Sequence, residues 1–222
     1  DEGIWRPAEV PGTVHTDLLS NGVIEDPYYR TNEKDQQWID KKDWIYKTSF
    51  EVEREWLDRD CIDLQFDGLD TYADVYLNDS LLLKADNFFV DWREEVKEKL
   101  RVGTNELRLY FHSPTNMGLE KLYAHGYGLP AVNDQSKNGE MGKNKVSVFT
   151  RKPGYHYGWD WGPRLVTSGI WRPIFLEIWD NARLEDVYFY QKELTDANAR
   201  LEAQVKMEVS EASAATMTTT TT

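Results

Sequence analysis

The chain carries 222 residues, 40% of them hydrophobic and 13% aromatic, with 39 acidic against 26 basic side chains and a net charge of −13. That is enough length and apolar material for one large packed domain plus part of another, which excludes disorder for most of the chain. The negative field disfavours nucleic acid and anionic membrane surfaces as partners and leaves neutral ligands open.

No apolar run is long enough for a helical membrane span. The single cysteine, Cys61, offers neither an internal disulfide nor a zinc cluster. His15, His112, His125 and His156 lack the i, i+4 spacing of a helical metal site. No metal or cofactor is expected. Asp1 is not an initiator methionine, so the chain is expected to be processed or cut from something longer.

In chain order, a turn-rich piece at residues 16–21 gives the first helical signal. WIYKTSFEV then places Trp44, Tyr46, Thr48, Phe50 and Val52 on one face of a strand and Lys47, Ser49 and Glu51 on the other. IDLQFD alternates Ile62, Leu64 and Phe66 against Asp63, Gln65 and Asp67. ADVYLNDSLLL reads as a hairpin turning at Asn78-Asp79, and that turn is a sufficient reason for the formal glycosylation acceptor Asn78-Asp79-Ser80. EEVKEKL, before Gly103, is a second helical signal.

ELRLYFH alternates Leu107, Leu109 and Phe111 against Arg108 and Tyr110, and GIWRPIFLEIWD and EDVYFYQ give two further strands. Many short strands with turn punctuation predict an all-β, antiparallel sandwich. Two segments break the pattern. Residues 115–152 show almost no sustained period, and a connection of that length inside a compact domain is functional or disordered. At the end, ARLEAQVKMEV aligns Leu201, Ala203, Val205, Met207 and Val209 on one face, with only Thr-rich residues after it. A strand with no sequence left to pair with predicts the start of a second, truncated domain.

The irregular segment leads into YHYGWDWGPRL (155–165). In a regular strand Trp159 and Trp161 share one face and Asp160 takes the other. Gly158 and Gly162 allow that arrangement to bend, and Pro163 is incompatible with a central strand. Aromatic plates pack on the apolar faces of sugars, and a carboxylate accepts hydrogen bonds from two adjacent hydroxyls. The alternative is a core corner in which both tryptophans are simply buried.

These residues carry a resemblance. PGTVHTDLLSNGVIEDPYYRTNE, DWIYKTSFEV, FDGLDTYADVYLND, GTNELRLYF, RKPGYHYGWDWGPRLVTSGIWRP and LEIWD together resemble the N-terminal region of β-mannosidases of glycoside hydrolase family 2. YHYGWDWGPR followed by SGIWRP is the part specific to the mannosidase branch, and the resemblance runs in order over nearly the whole chain. It implies a jelly-roll, galactose-binding-like sandwich over residues 1–182, with residues 183–222 as the first strands of an immunoglobulin-like sandwich. It also implies a downstream (β/α)₈ barrel of the same polypeptide holding both catalytic glutamates, so no catalytic residue is expected here.

By the same resemblance the WDW loop reaches over the barrel mouth and lines the subsite for the terminal mannose. Asp160 would hold sugar hydroxyls, Trp159 would wall the pocket, Trp161 would line it or anchor the loop, and Arg164 would fix Asp160. The partner implied is a mannose-containing oligosaccharide or glycoside. The reading from a different class is a stand-alone, lectin-like carbohydrate-binding module. Periplasm, secretion and lysosome all fit.

Other polar residues have plainer expectations. Asp70 and Asp74 read as a turn residue and a solvated strand face rather than an acid/base pair. His156 reads as a hydrogen-bonded structural residue, Arg172 as half of a buried ion pair, and Cys61 as a small packing residue.

Overall fold

A computed structural model of the chain describes residues 4–210. The Thr-rich end lies outside the described residues. The strands are β1 (Trp44–Val52), β2 (Cys61–Phe66), β3 (Tyr72–Leu77), β4 (Ser80–Asp86), β5 (Trp92–Glu95), β6 (Gly103–Phe111), β7 (Ile174–Trp179), β8 (Ala182–Leu194) and β9 (Ala199–Val209). The helices are α1 (Val14–Ser20), α2 (Asn32–Asp35), α3 (Arg54–Leu57) and α4 (Pro114–His125).

Two antiparallel sheets, ordered β1-β6-β3-β4 and β5-β2-β7, form the sandwich. Its core follows the alternation in the strands: Val75 and Leu77 of β3 and Leu107, Leu109 and Phe111 of β6 join Ile62, Leu64 and Phe66 of β2 in one buried cluster. Burying each such side chain stabilises the fold by about 1.5–3 kcal/mol relative to exposure. β1 coincides with WIYKTSFEV. Tyr46 and Val52 are buried and Trp44 and Phe50 half-buried, whereas Thr48 on the same face is exposed.

That exposure has a cause. β1 and β7 are the outer strands of their sheets, and the sandwich is open beside them. Tyr46, Phe50, Leu109, Leu176 and Ile178 line a groove of about 1200 Å³ there, bordered by residues 4–8.

α1 starts at a capping box in which the Thr13 side chain accepts from Thr16 N–H and the Thr16 side chain reciprocates. It buries Val14 and Leu18, and the Tyr46 hydroxyl donates to Asp17 Oδ2 at 2.6 Å, fixing the helix to β1. Gly12 N–H and Val14 N–H donate to the carbonyls of Ile170 and Ser168, both at 2.8 Å, so this N-terminal stretch is bound to the chain leaving the WDW loop.

Three expectations about elements change. EEVKEKL is not a helix: residues 92–95 pair with β2, and only a 3₁₀ turn, Lys97–Lys99, follows. Strand pairing overrides the helical preference of Glu and Lys. Residues 115–152 are not irregular throughout, because α4 occupies their first part. Its signals stand at its ends: Ser113 caps it, Pro114 opens it and left-handed Gly126 closes it. Finally, β9 does not lack a partner. It pairs with β8 along its length, aligning Val187 with Val205 and Phe189 with Ala203.

The Asn78-Asp79 turn is present, with φ of 49° and 63°. Asn78 is also a structural node. Its Oδ1 accepts from Glu106 N–H at 3.0 Å, and its Nδ2 donates to Asn105 Oδ1 at 2.8 Å and to the Lys99 carbonyl at 3.1 Å. Asn78→Ala removes these bonds and forces a Cβ residue to hold positive φ without compensation. Urea denaturation of the chain is expected to show a loss of about 2–4 kcal/mol; an unchanged midpoint would mean that the turn does not depend on this side chain.

Candidate functional site

The WDW loop stands on a fixed base. A 3₁₀ turn, Gly154–Tyr157, delivers Tyr157 into a second buried cluster with Leu122, Val146 and Val166. The chain then reverses: Gly158 has φ of 102°, and Trp159 N–H donates to the Gly162 carbonyl at 3.2 Å. Gly158 is required twice over, since a Cβ there would also lie 2.6 Å from the Gln135 side chain. No strand forms, so Trp159 and Trp161 do not share a strand face; their ring centres lie 6.4 Å apart.

Each predicted site residue has a clear position. Trp159 is half-buried, Asp160 is exposed and Trp161 is 72% exposed. Within the described residues Trp161 is therefore neither buried in a core corner nor packed as an anchor of the loop. Tyr155, half exposed, continues the aromatic surface 6.2 Å from Trp161 between ring centres.

The anchoring is done by buried charges. Downstream, the Arg164 guanidinium donates to Gln37 Oε1 at 2.7 Å and to Asp40 Oδ2 at 2.8 Å, and Gln37 Nε2 donates to the Arg164 carbonyl at 2.8 Å. Thr115, in the first turn of α4, donates its hydroxyl to Asp40 Oδ2. Arg164 therefore does not fix Asp160; it fixes the loop's exit to the segment before β1. Gly139 allows this, because a Cβ there would meet the Arg164 guanidinium carbon at 2.5 Å.

Upstream, Lys152 donates to Asp70 Oδ1 and, at 2.8 Å, to the Thr167 carbonyl. The Thr167 hydroxyl donates to Asp70 Oδ2 at 2.6 Å. Asp70 is thus a fully buried ion-pair residue, not the turn residue expected. Burial pulls the Lys152 pKa down, and Asp70 opposes that pull.

His156 is the structural residue expected: its Nδ1 lies 3.1 Å from the Thr167 hydroxyl, and it meets Phe88 edge to face. Burial, then the charge on Lys152, lower its pKa to about 4, so it stays neutral near pH 7. Asp74 is a partly buried strand residue facing His112 and Lys84. Arg172 is exposed and lies over the Trp171 ring at 4.2 Å instead of forming a buried ion pair. Trp171 in turn stacks on Phe88 at 4.2 Å.

Sequence reading missed Asp40, Gln37, Lys152 and Gln135. No local pattern marks them, since their partners lie far away in the chain. Among the described residues, no group of three or more His, Cys, Asp or Glu side chains could hold a metal ion. What the site offers is an exposed carboxylate flanked in sequence by a half-buried and an exposed indole, groups suited to a neutral polyhydroxylated ligand.

Residues 1–172 match the family described as glycosyl hydrolase 2 galactose-binding domain-like. The chain is 38% identical over 181 residues to beta-mannosidase B of Thermothelomyces thermophilus, covering 82% of this chain and 20% of that protein. It is 39% identical over 189 residues to beta-mannosidase B of Neosartorya fischeri, covering 84% and 21%. The crystal structure of beta-D-mannosidase from Dictyoglomus thermophilum superposes with a TM-score of 0.85 at 40% identity, over 94% of this chain and 24% of that one. The chain thus spans about one fifth of the length of the curated relatives it matches.

The Arg164 network makes a sharp stability claim. Arg164→Met leaves Asp40 charged and buried with its cationic partner gone, a loss of about 3–5 kcal/mol in denaturant unfolding. A loss below about 1 kcal/mol would mean that the pair does not hold the loop's base.

Proposed function

The chain belongs to the glycosyl hydrolase 2 galactose-binding domain-like family, and from that premise we propose that it is the N-terminal part of an exo-acting, retaining β-mannosidase. In this reading Trp159, Asp160 and Trp161 line the subsite for the terminal β-D-mannose. The catalytic glutamates stand in a downstream barrel of the same polypeptide. Retention needs two carboxyls roughly 5 Å apart, and the proposal assigns both to that barrel.

One observation carries the proposal: Asp160 and Trp161 are exposed at the apex of a loop whose two ends are fixed by buried ion pairs. Exposing an indole and a carboxylate on a rigid base costs hydrophobic burial, and a sugar recovers it. Asp160 accepts hydrogen bonds from two neighbouring hydroxyls, and an indole covers the C–H face of the ring. Fixing the base beforehand reduces the ordering cost on binding.

We further propose that residues 183–222 begin an immunoglobulin-like sandwich after a jelly-roll domain ending at residue 182. Leu184, Val187, Phe189 and Leu201 are exposed on the β8–β9 ribbon, and a two-stranded ribbon with apolar surface needs a second layer to be stable.

In the full-length polypeptide, Asp160→Ala is expected to lower kcat/KM for an aryl β-mannoside by about 10- to 100-fold, the worth of a single charge-assisted hydrogen bond. Unchanged kinetics would remove Asp160 from the subsite. The competing module reading has its own signature: the isolated chain would bind methyl mannoside in calorimetry as tightly as the whole polypeptide does, whereas a half-site binds it more weakly.

A further inference from the structure

Building on the mannose-pocket reading, we propose that Gln135 is a positioning residue that sets Asp160 by holding the peptide between Trp159 and Asp160. Gln135 lies in the otherwise irregular stretch after α4, yet it is among the most committed residues there. Its backbone N–H donates to the Tyr157 carbonyl at 2.9 Å, and its side-chain Nε2 donates to the Trp159 carbonyl at 2.6 Å. Its Oε1 accepts from Asn138 Nδ2 at 2.8 Å. A carbonyl only accepts, so the amide must present its nitrogen to Trp159 and its oxygen to Asn138.

The support behind Gln135 is equally defined. Asp134 Oδ2 accepts from the N–H groups of Val146 and Ser147, both at 2.9 Å, tying the stretch to the buried cluster under the loop. The Gln135 carbonyl accepts from Asn138 N–H at 2.9 Å, closing a turn. The side chain lies flat on Gly158.

The Trp159 carbonyl belongs to the peptide that leads into Asp160. Rotating that peptide moves the Asp160 Cα and swings its carboxylate. The two ion pairs fix the ends of the loop, and the turn from Trp159 to Gly162 closes it. A hydrogen bond to a side chain outside the loop then fixes this peptide plane. Gln135 thus acts on substrate through Asp160, without touching it.

The test uses the full-length polypeptide with an aryl β-mannoside, and two variants in two backgrounds. Gln135→Glu keeps the shape but sets a carboxylate oxygen against the Trp159 carbonyl; Gln135→Ala removes the bond and the contact. Both are expected to lower kcat/KM by roughly three- to tenfold, with thermal melts confirming folded protein. In the Asp160→Ala background both are expected to add almost nothing, because the group being positioned is gone.

Wild-type kinetics for Gln135→Glu beside an impaired Asp160→Ala would overturn the positioning role and leave the pocket reading intact. Equal losses in both backgrounds would also overturn it, marking Gln135 as general scaffold. Full activity of Asp160→Ala itself would bring down the pocket reading, and this inference with it.

Discussion

Two buried ion pairs, Lys152–Asp70 and Arg164–Asp40, determine where the rest of the site can stand. Each is expensive to assemble, because both partners leave water, and each is retained with further hydrogen bonds to its charged groups. Thr71 and Thr167 complete the first, and Gln37 and Thr115 complete the second. One ties the approach to the WDW loop to the chain entering β3. The other ties its exit to the segment before β1 and to the start of α4. Between them the loop can afford an exposed indole and an exposed carboxylate, since its conformation does not depend on burying either.

The sandwich supplies the frame. Its sheets bury alternating residues against each other, but the groove beside the outer strands β1 and β7 and the apolar surface of the β8–β9 ribbon remain uncovered. Apolar surface on that scale marks an interface or an inner face in a soluble protein. Under the proposed reading both are inner faces of a longer polypeptide.

Much of this frame is legible in the sequence wherever the signal is local. Alternation in WIYKTSFEV gives β1 to the residue, and Asn78-Asp79 gives the β3–β4 hairpin, because period and turn chemistry act over a few residues. α4 escapes because it has little apolar stripe: Pro114, Thr115, Gly118 and Leu122 are its buried residues, and only its caps declare it. EEVKEKL misleads because pairing with β2 outweighs propensity. The aromatic-carboxylate apex is visible as composition, but not its support. Lys152 and Asp70 stand 82 residues apart, and Arg164 and Asp40 stand 124 apart. Nothing in a single sequence links such pairs, so Asp70 looks like a turn residue, Arg164 looks free to hold its neighbour Asp160, and Arg172 looks more buried than it is.

The central claim is that the loop apex touches the terminal sugar while the cleavage machinery stands on another domain. The most direct measurement is a crystal structure of the full-length polypeptide with a mannose-configured competitive inhibitor. The account predicts an Asp160 carboxylate oxygen about 2.5–3.0 Å from a sugar hydroxyl, an indole of Trp159 or Trp161 against the ring, and both catalytic carboxyls contributed from beyond residue 222. A sugar bound out of hydrogen-bond reach of residues 159–161, or cleaved by carboxylates of this chain, would contradict it.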